Sequence, residues 1–311
     1  MKRLISILLC LALTMSLAAC GGTPAPTEAP APAAPTGTPA VPEATEAPQE
    51  NAPTTPAADY SLENLALLQN DSCTFTVTKT EFNEHLGLRL HVLCENTSDR
   101  PLLFTWNDTS VCGLMYEPLW AEEVAAGKKV NSTIDFDTYV LEQMGVTSVD
   151  EITFTLSVMD SEEFLDGPLV NEGFCIYPTG KTPDQVVYPE YQHKNGETII
   201  TENDVITFII ENVEDEASEF YTLNCYIANH TGKNLMLSWD NVSVNGSMVD
   251  PFWAATVAAG KQMYTQVLFL WSDLEQQGIE DVTDIEFTLQ AYDNDNWETD
   301  YLLEEVFTFK P

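Results

Sequence analysis

The chain contains the same sequence unit twice, and this repeat constrains its fold more than any other feature. Residues 70–178 align with residues 203–311 at a shift of 133 positions without a gap, and 36 of the 109 aligned positions are identical. The densest match joins residues 110–128 to residues 243–261. Such a register indicates two copies of one folding unit, so a residue that the shared fold requires is expected in both copies.

Both copies show the alternation of apolar and polar residues that is typical of half-buried strands. It is clearest at residues 88–94, 130–136 and 152–158 and at the corresponding positions of the second copy. A period of two predicts β-strands, and Asn245-Gly246 is a strong hairpin signal between two of them. Roughly seven or eight such strands per copy suit a pair of packed sheets. We therefore predict an all-β chain with two tandem immunoglobulin-like β-sandwich repeats.

One short helix is predicted in each copy. The two helices end near Gly145 and Gly278, which stand where a glycine in the left-handed conformation closes a helix. In the second copy, Ser272 and Glu275 have the spacing of an N-terminal capping box. The first copy has Tyr139 in place of Ser272, so this cap is not part of the shared design.

The repeats divide the chain into segments. We assign residues 59–180 to the first repeat, residues 181–196 to a connector and residues 197–311 to the second repeat. The connector carries Pro183 and Pro189 together with aromatic residues. We therefore expect the connector to pack against the repeats rather than to swing freely.

Residues 1–19 have the layout of a secretory signal peptide. Met1-Lys2-Arg3 is a short basic start, and the apolar run of residues 4–17 is too short to span a bilayer. The residues Leu17-Ala18-Ala19-Cys20 that follow resemble the lipobox of bacterial lipoproteins. The resemblance implies cleavage before Cys20 and a diacylglyceryl thioether on its sulfur. The alternative is an ordinary signal peptide with a chance cysteine.

Residues 20–58 are predicted to form a lipidated N-terminus and a disordered tether. Ten of the 18 prolines of the chain lie between residues 21 and 58, and such a composition cannot bury enough apolar surface to offset its ordering entropy. As polyproline II, a segment of this length reaches on the order of 100 Å. Since two or more acyl chains anchor a protein stably, we predict an extracytoplasmic protein, anchored to the cell membrane at the bacterial surface through Cys20.

The charge of the chain excludes one class of partner. The formal net charge is -37, and no basic stripe is present that could neutralise nucleic acid phosphates. Self-repulsion favours a soluble monomer. A basic partner or a divalent cation remains open.

The cysteines do not form a shared framework. None of the five cysteines after the lipobox has a cysteine at the matching position of the other copy, so the common fold requires no disulfide. These five are Cys73, Cys94, Cys112, Cys175 and Cys225. A single bridge among the first four stays open. No CxxC motif or Cys/His cluster suggests a zinc or redox site.

Catalysis finds little support in the sequence. None of the four histidines is shared between the copies: Ser218 replaces His85, Asn224 replaces His91, Thr97 stands opposite His230, and His193 lies in the connector. No nucleophile elbow, phosphate-binding loop or metalloprotease motif is present. We predict that the protein is not an enzyme and has no catalytic residues.

One acidic loop raises the question of calcium. Asp293, Asp295 and Asp300 lie in an oxygen-rich segment, which lacks the glycine and the final glutamate of an EF-hand loop. A solvated hairpin loop and a Ca²⁺ site are the two interpretations. No other cofactor is expected.

The second copy carries an additional apolar face. Tyr264, Leu268 and Leu270 alternate with the core positions of one strand, and Trp271 follows, where the first copy has polar residues. A second apolar face needs cover. Either the helix or the first repeat covers it, or it is an interface for a protein or glycan partner.

The combined pattern resembles a known group of proteins. The lipobox, the proline-rich tether and the repeat motifs at residues 243–251, 257–261 and 285–289 are similar to those of uncharacterised lipoproteins of low-GC Gram-positive bacteria. That group has tandem immunoglobulin-like domains of unknown function, so the resemblance implies a surface β-sandwich and supplies no activity. We expect a lipid-anchored protein that displays two non-enzymatic modules for protein or glycan binding. The alternatives are a structural spacer without its own ligand and a Ca²⁺-dependent glycan-binding module.

Overall fold

The computed structural model describes residues 59–83, 87–215, 219–296 and 298–311. The predicted signal peptide, Cys20 and the tether lie outside these residues. All described helices and strands belong to one compact unit, Pro53–Pro311. Within the described ranges, no helix combines the length and the apolar character that crossing a bilayer requires.

The first repeat consists of nine strands and one short helix. The helix, α1, spans Thr138–Gln143. The strands β1 to β9 span Glu63–Gln69, Cys73–Asn83, Gly87–Asn96, Leu102–Val111, Leu114–Met115, Ala121–Val124, Lys129–Phe136, Ile152–Asp160 and Val170–Ile176.

The second repeat has corresponding strands and a corresponding α-helix in the same order. Its helix, α2, spans Trp271–Gln276. The strands β10 to β18 span Thr198–Glu202, Ile206–Glu214, Phe220–Asn229, Leu235–Val244, Ser247–Met248, Ala254–Val257, Gln262–Leu270, Ile285–Asp293 and Leu303–Phe309.

Each repeat is a sandwich of two antiparallel layers. In the first repeat, one layer has the order β1-β2-β3-β7 and the other has the order β5-β4-β8-β9, with β6 also paired to β4. The chain leaves the first layer after β3 and returns to it only for β7. This division of strands is that of an immunoglobulin-like Greek key, and the second repeat follows it with β10 to β18. The predicted fold class is confirmed.

The irregularities of the strands also recur. The register shifts between Val77 and Lys79 in the first repeat and between Ile210 and Asn212 in the second. The bulges on the first strand and on the fourth strand of each repeat are likewise at matching positions. Because a bulge bends and twists its strand, the two sandwiches share local shape as well as topology.

A stacked aromatic pair lies at the centre of each core. The rings of Trp106 and Phe154 are 3.4 Å apart, and those of Trp239 and Phe287 are 3.7 Å apart. In each repeat a phenylalanine and a second tryptophan pack edge to face beside this pair. Phe75, Phe208 and Phe287 are fully buried, and burying a side chain of this size stabilises the fold by roughly 1.5–3 kcal/mol. The tryptophans pack on these rings in both repeats.

The helices end as predicted but begin differently. Gly145 and Gly278 have φ values of 90° and 75°, the left-handed conformation expected at a helix end. The predicted cap at Ser272 is wrong, because α2 begins at Trp271 directly after β16 and its N-cap residue is Leu270. The first repeat has Asp137 at that place, and its carboxylate accepts hydrogen bonds from two backbone N–H groups of α1.

Candidate binding groove and the junction between the repeats

An open groove of about 420 Å³ lies on the outer face of the first repeat. It crosses the layer formed by β1, β2, β3 and β7. His91 alternates with the buried residues Leu90 and Val92, so its side chain points away from the core. The residues that line the groove are Glu63, Thr78, Lys79, His91, Val92, Asn131 and Ser132.

The lining of the groove is polar and partly organised. His91 Nε2 lies 3.0 Å from Glu81 Oε2, and Lys79 Nζ lies 2.9 Å from the same oxygen. The hydrogen bond from Lys79, followed by that from His91, lowers the pKa of Glu81. Ser132 shares the inward side of β7 with Ile134, and its Oγ accepts a hydrogen bond of 3.1 Å from the indole of Trp120. The groove therefore presents a carboxylate, an ammonium group and an amide from Glu63, Lys79 and Asn131.

In the second repeat, the corresponding surface is covered by the connector. Glu211 and Tyr264 correspond to the groove residues Thr78 and Asn131. Lys194 Nζ lies 2.6 Å from Glu211 Oε1 and 5.8 Å from the centre of the Tyr264 ring. The chain thus places its own ammonium group where the first repeat is open.

The ring of Tyr191 covers the neighbouring part of this surface. It stacks on Tyr226 at 4.1 Å, and its hydroxyl donates to Glu197 at 2.7 Å and to Glu211 at 3.1 Å. Tyr191 and Tyr264 pack on a small buried cluster that lies outside the main core of the second repeat. Burial is the main reason why the pKa of Tyr191 is raised above its usual range.

The residues of the additional apolar face therefore lie in two different environments. Tyr264 is half-buried below the connector, while Leu268 and Leu270 are half-buried further along β16. Trp271 packs edge to face on Tyr221 at 5.7 Å. Beside them, Phe252 donates its backbone N–H to the Leu268 carbonyl and leaves 72% of its surface exposed. The assignment of these residues to a partner interface stays a prediction.

The sequence did not indicate the junction between the repeats. The Gln262 N–H at the start of β16 donates a hydrogen bond of 2.9 Å to the Gly113 carbonyl. This contact joins β16 to β5 in parallel, so that strands of both repeats form one nine-stranded sheet. Met115 of the first repeat is 7% exposed and belongs to the buried cluster of the second repeat.

A buried carboxylate lies beside this contact. Glu151 is 5% exposed, and it accepts a hydrogen bond of 2.9 Å from the Tyr188 hydroxyl. Lys261 Nζ of the second repeat lies 3.8 Å from its other oxygen. Burial and the hydrogen bond to Glu151 raise the pKa of Tyr188 to about 12. Pairing across the junction offsets part of the cost of burying the Glu151 charge.

The acidic loop is held by protein contacts. Asp293 accepts from Lys233 at 2.9 Å, and Asp295 accepts from Asn234 at 3.1 Å, while Asp300 is exposed. Across the described ranges, no group of three or more metal-binding side chains is assembled. The Ca²⁺ interpretation stays a prediction.

The described cysteines are present as free thiols. Cys175 is exposed, and the other four are buried. Burial is the main reason why the pKa of Cys94 is raised to about 12. The buried thiols pack as small apolar side chains.

Comparisons with known proteins add little. No family model matches the chain, and no curated protein matches it. Among solved structures, the chain is similar to a chain of the Salmonella enterica SafA pilin in complex with the SafB chaperone. The identity is 12%, the match covers 80% of this chain and 100% of that chain, and the TM-score is 0.24. A likeness at this level carries no argument about function.

Proposed function

We propose that this is a non-enzymatic binding protein, held at the extracytoplasmic face of a membrane by a lipid on Cys20, and that the groove of its first repeat binds an extended polypeptide segment. One observation carries the proposal. The same place on the second repeat is covered by the chain's own connector, through Tyr191 and Lys194, whereas on the first repeat none of the described residues covers it.

The connector supplies the chemistry of the expected ligand. It contributes an aromatic ring, which stacks on the sheet, and an ammonium group three residues later, which pairs with a carboxylate. The groove offers Glu63 at its border and hydrogen-bonding groups at Thr78 and Asn131. A segment with an aromatic residue and a basic residue also suits a chain of net charge -37.

A polypeptide fits this groove better than a glycan. Sugar-binding sites commonly present an exposed aromatic ring, because such a side chain offers an apolar face next to a hydrated polar group. The described lining of the groove contains no phenylalanine, tyrosine or tryptophan. Its polar lining across four strands instead suits the backbone and side chains of an extended segment.

Peptide selection tests the groove. The unit Pro53–Pro311 is immobilised, and peptides are selected from a random display library. We expect enriched peptides that carry an aromatic residue near a basic one and that lose binding to Asn131→Tyr, which places a ring in the groove. Gln266→Tyr is the matched control, because Gln266 is exposed on β16. Enriched peptides that bind Asn131→Tyr as well as the unaltered protein would refute the proposal.

The anchor has its own test. The change Cys20→Ser removes the sulfur that carries the lipid. We expect a soluble or unprocessed protein after cell fractionation. A cleaved, mature-sized Cys20→Ser protein that remains with the membrane would show that the lipobox interpretation is wrong.

A spacer is the second candidate function, and the junction between the repeats favours it. The shared sheet and the buried Met115 fix the repeats to each other, as a rigid spacer requires. The peptide selection separates the two candidates, since a spacer yields no peptide whose binding depends on Asn131.

A further inference from the structure

Each end of the repeat pair presents one half of the junction that the two repeats form with each other. The donating half is the hairpin of β4 and β5, which inserts Met115 into the second repeat. The second repeat has the same hairpin between β13 and β14, with positive φ at Asn245 and Gly246. Its methionine, Met248, is 61% exposed, against 7% for Met115.

The receiving half is also repeated. In the second repeat, Lys261 and Gln262 are half-buried under the hairpin of the first repeat. Their counterparts Lys128 and Lys129 are exposed, with 68% of the Lys129 side chain accessible. Ala125, the counterpart of the half-buried Ala258, is exposed as well.

The backbone of the receiving strand has the required orientation. Gln262 is paired with Ala228 of the neighbouring strand, and its N–H points away from that strand to Gly113. Lys129 is paired with Glu95 in the same register. The Lys129 N–H is therefore directed to the open edge of β7, where a parallel strand can add.

The charge pair of the junction is retained in both halves. Glu151 and Lys261 face each other across the internal junction. Their counterparts are Asp284 at the free hairpin end and Lys128 at the free receiving end. An acid on one surface and a base on the other make the two ends complementary.

We propose that copies of this chain associate head to tail, with the β13–β14 hairpin of one copy seated on the start of β7 of the next. The occupant of each free end is thus a second copy, and the contact is heterologous, so it can continue from copy to copy. Met248 takes the place of Met115, and Asp284 takes the place of Glu151.

The association is weak in dilute solution for two reasons. Thr55 stands in sequence where the connector has Tyr188, so the intermolecular contact lacks that ring. Each copy also has a net charge of -37, which opposes association at low salt. A monomer is therefore expected at low concentration, and crowding at a surface favours the head-to-tail contact.

Sedimentation of the unit Pro53–Pro311 tests the proposal. We expect dimers and larger species to appear as the concentration rises to about 1 mM, and to increase in about 1 M salt, where the Debye length falls to about 3 Å. Met248→Asp should abolish them at unchanged stability, because Met248 is exposed. Val306→Asp is the control, since Val306 is another exposed apolar residue of the second repeat, at 65%.

Cysteine cross-linking identifies the surfaces. Met248→Cys and Ala125→Cys are made separately in a Cys175→Ser background and then mixed. We expect disulfide-linked dimers in the mixture and only traces from either variant alone. A protein that stays monomeric up to the highest concentration at both salt levels, or self-association that Met248→Asp leaves unchanged, would overturn the proposal. Dimers of Met248→Cys with itself would instead indicate a symmetric contact and would also refute it.

Discussion

At the scale of single residues, a buried asparagine recurs at the same position of both repeats. Asn96 and Asn229 are 2% and 3% exposed. The Asn96 amide donates to the carbonyls of Arg100 and Val124, and Asn229 makes the same bonds at the matching positions. These amides tie the turn that leaves the first layer to the end of β6 or β15 in the second layer. They recur because a buried carbonyl without a donor destabilises a fold.

Replacing either buried asparagine should destabilise its repeat. Asn96→Ala and Asn229→Ala each remove the side-chain amide that donates to two backbone carbonyls, and we expect a loss of about 1–3 kcal/mol in the free energy of unfolding. A hydroxyl, of Ser98 or Thr231, still donates to one of the two carbonyls in each repeat. Urea unfolding of Pro53–Pro311 measures this loss. Asn224→Ala is the control, because Asn224 lies on the outer face of β12 and bonds only to side chains there. An equal loss in Asn224→Ala would contradict the structural role of the buried pair.

Two carboxylates predict how stability changes with pH. The hydrogen bond from Lys233 lowers the pKa of Asp293, and the backbone N–H of Glu162, then Arg100, lowers that of Asp160. A folded-state pKa below the unfolded value of about 3.9 stabilises the fold fully above that pH. This stabilisation is lost as the pH falls through the lowered pKa.

The double variant Asp160→Asn and Asp293→Asn tests this dependence. We expect it to be less stable than the unaltered protein at pH 7, and we expect the difference to shrink below about pH 4. Chemical unfolding across this pH range gives the comparison, with the exposed Asp300→Asn as the control. A difference that stays constant down to the acid limit would refute the assignment.

At the scale of elements, the two hairpin turns are the same structure in different surroundings. Gly113 and Gly246 have φ values of 82° and 80°, where a side chain is strained by about 1–2 kcal/mol. A Cβ on Gly113 would lie 3.0 Å from the ring of Tyr188, whereas a Cβ on Gly246 would meet nothing within 4 Å. The turn of the first repeat is therefore part of the junction, and that of the second is free.

The matched changes Gly113→Ala and Gly246→Ala separate backbone strain from crowding. Gly246→Ala should lower the unfolding free energy by about 1–2 kcal/mol. Gly113→Ala should lower it further, because the Tyr188 ring must move away from the new methyl group. Urea unfolding compares the two, and near-ultraviolet circular dichroism reports the tyrosine environment. Equal losses without a change in the tyrosine signal would show that Tyr188 does not rest on Gly113.

The period of the apolar residues was sufficient to predict the strands, because core positions such as Leu90 and Leu223 face inward in both copies. The start of α2 was not predictable in this way, since pairing of β16 continues to Leu270 and brings the chain directly into the helix. The groove was also missed. The groove results from small polar residues such as Asn131, which look like ordinary surface residues in the sequence. Only the bulky counterpart Tyr264 stood out in the sequence pattern.

At the scale of the whole molecule, identical residues have different structural roles in the two copies. Met115 and Met248 are aligned and identical, as are Lys128 and Lys261. Their identity in both copies does not show whether they serve the shared fold. In the structure, Met115 and Lys261 hold the repeats together, while Met248 and Lys128 lie exposed. The asymmetry follows from position in the chain, because only one pair of ends can meet internally.

The two methionines give the sharpest test of this asymmetry. Met115→Ala removes a buried side chain at the junction, and we expect a loss of about 2–5 kcal/mol in the free energy of unfolding. Met248→Ala changes an exposed side chain and should remain within about 0.5 kcal/mol of the unaltered protein. Amide hydrogen exchange shows where the structure is weakened. Met115→Ala should weaken the protection of the Gln262 amide against exchange, although the change lies in the other repeat. Equal effects of the two changes, or unaltered protection at Gln262, would mean that the repeats are not coupled through Met115.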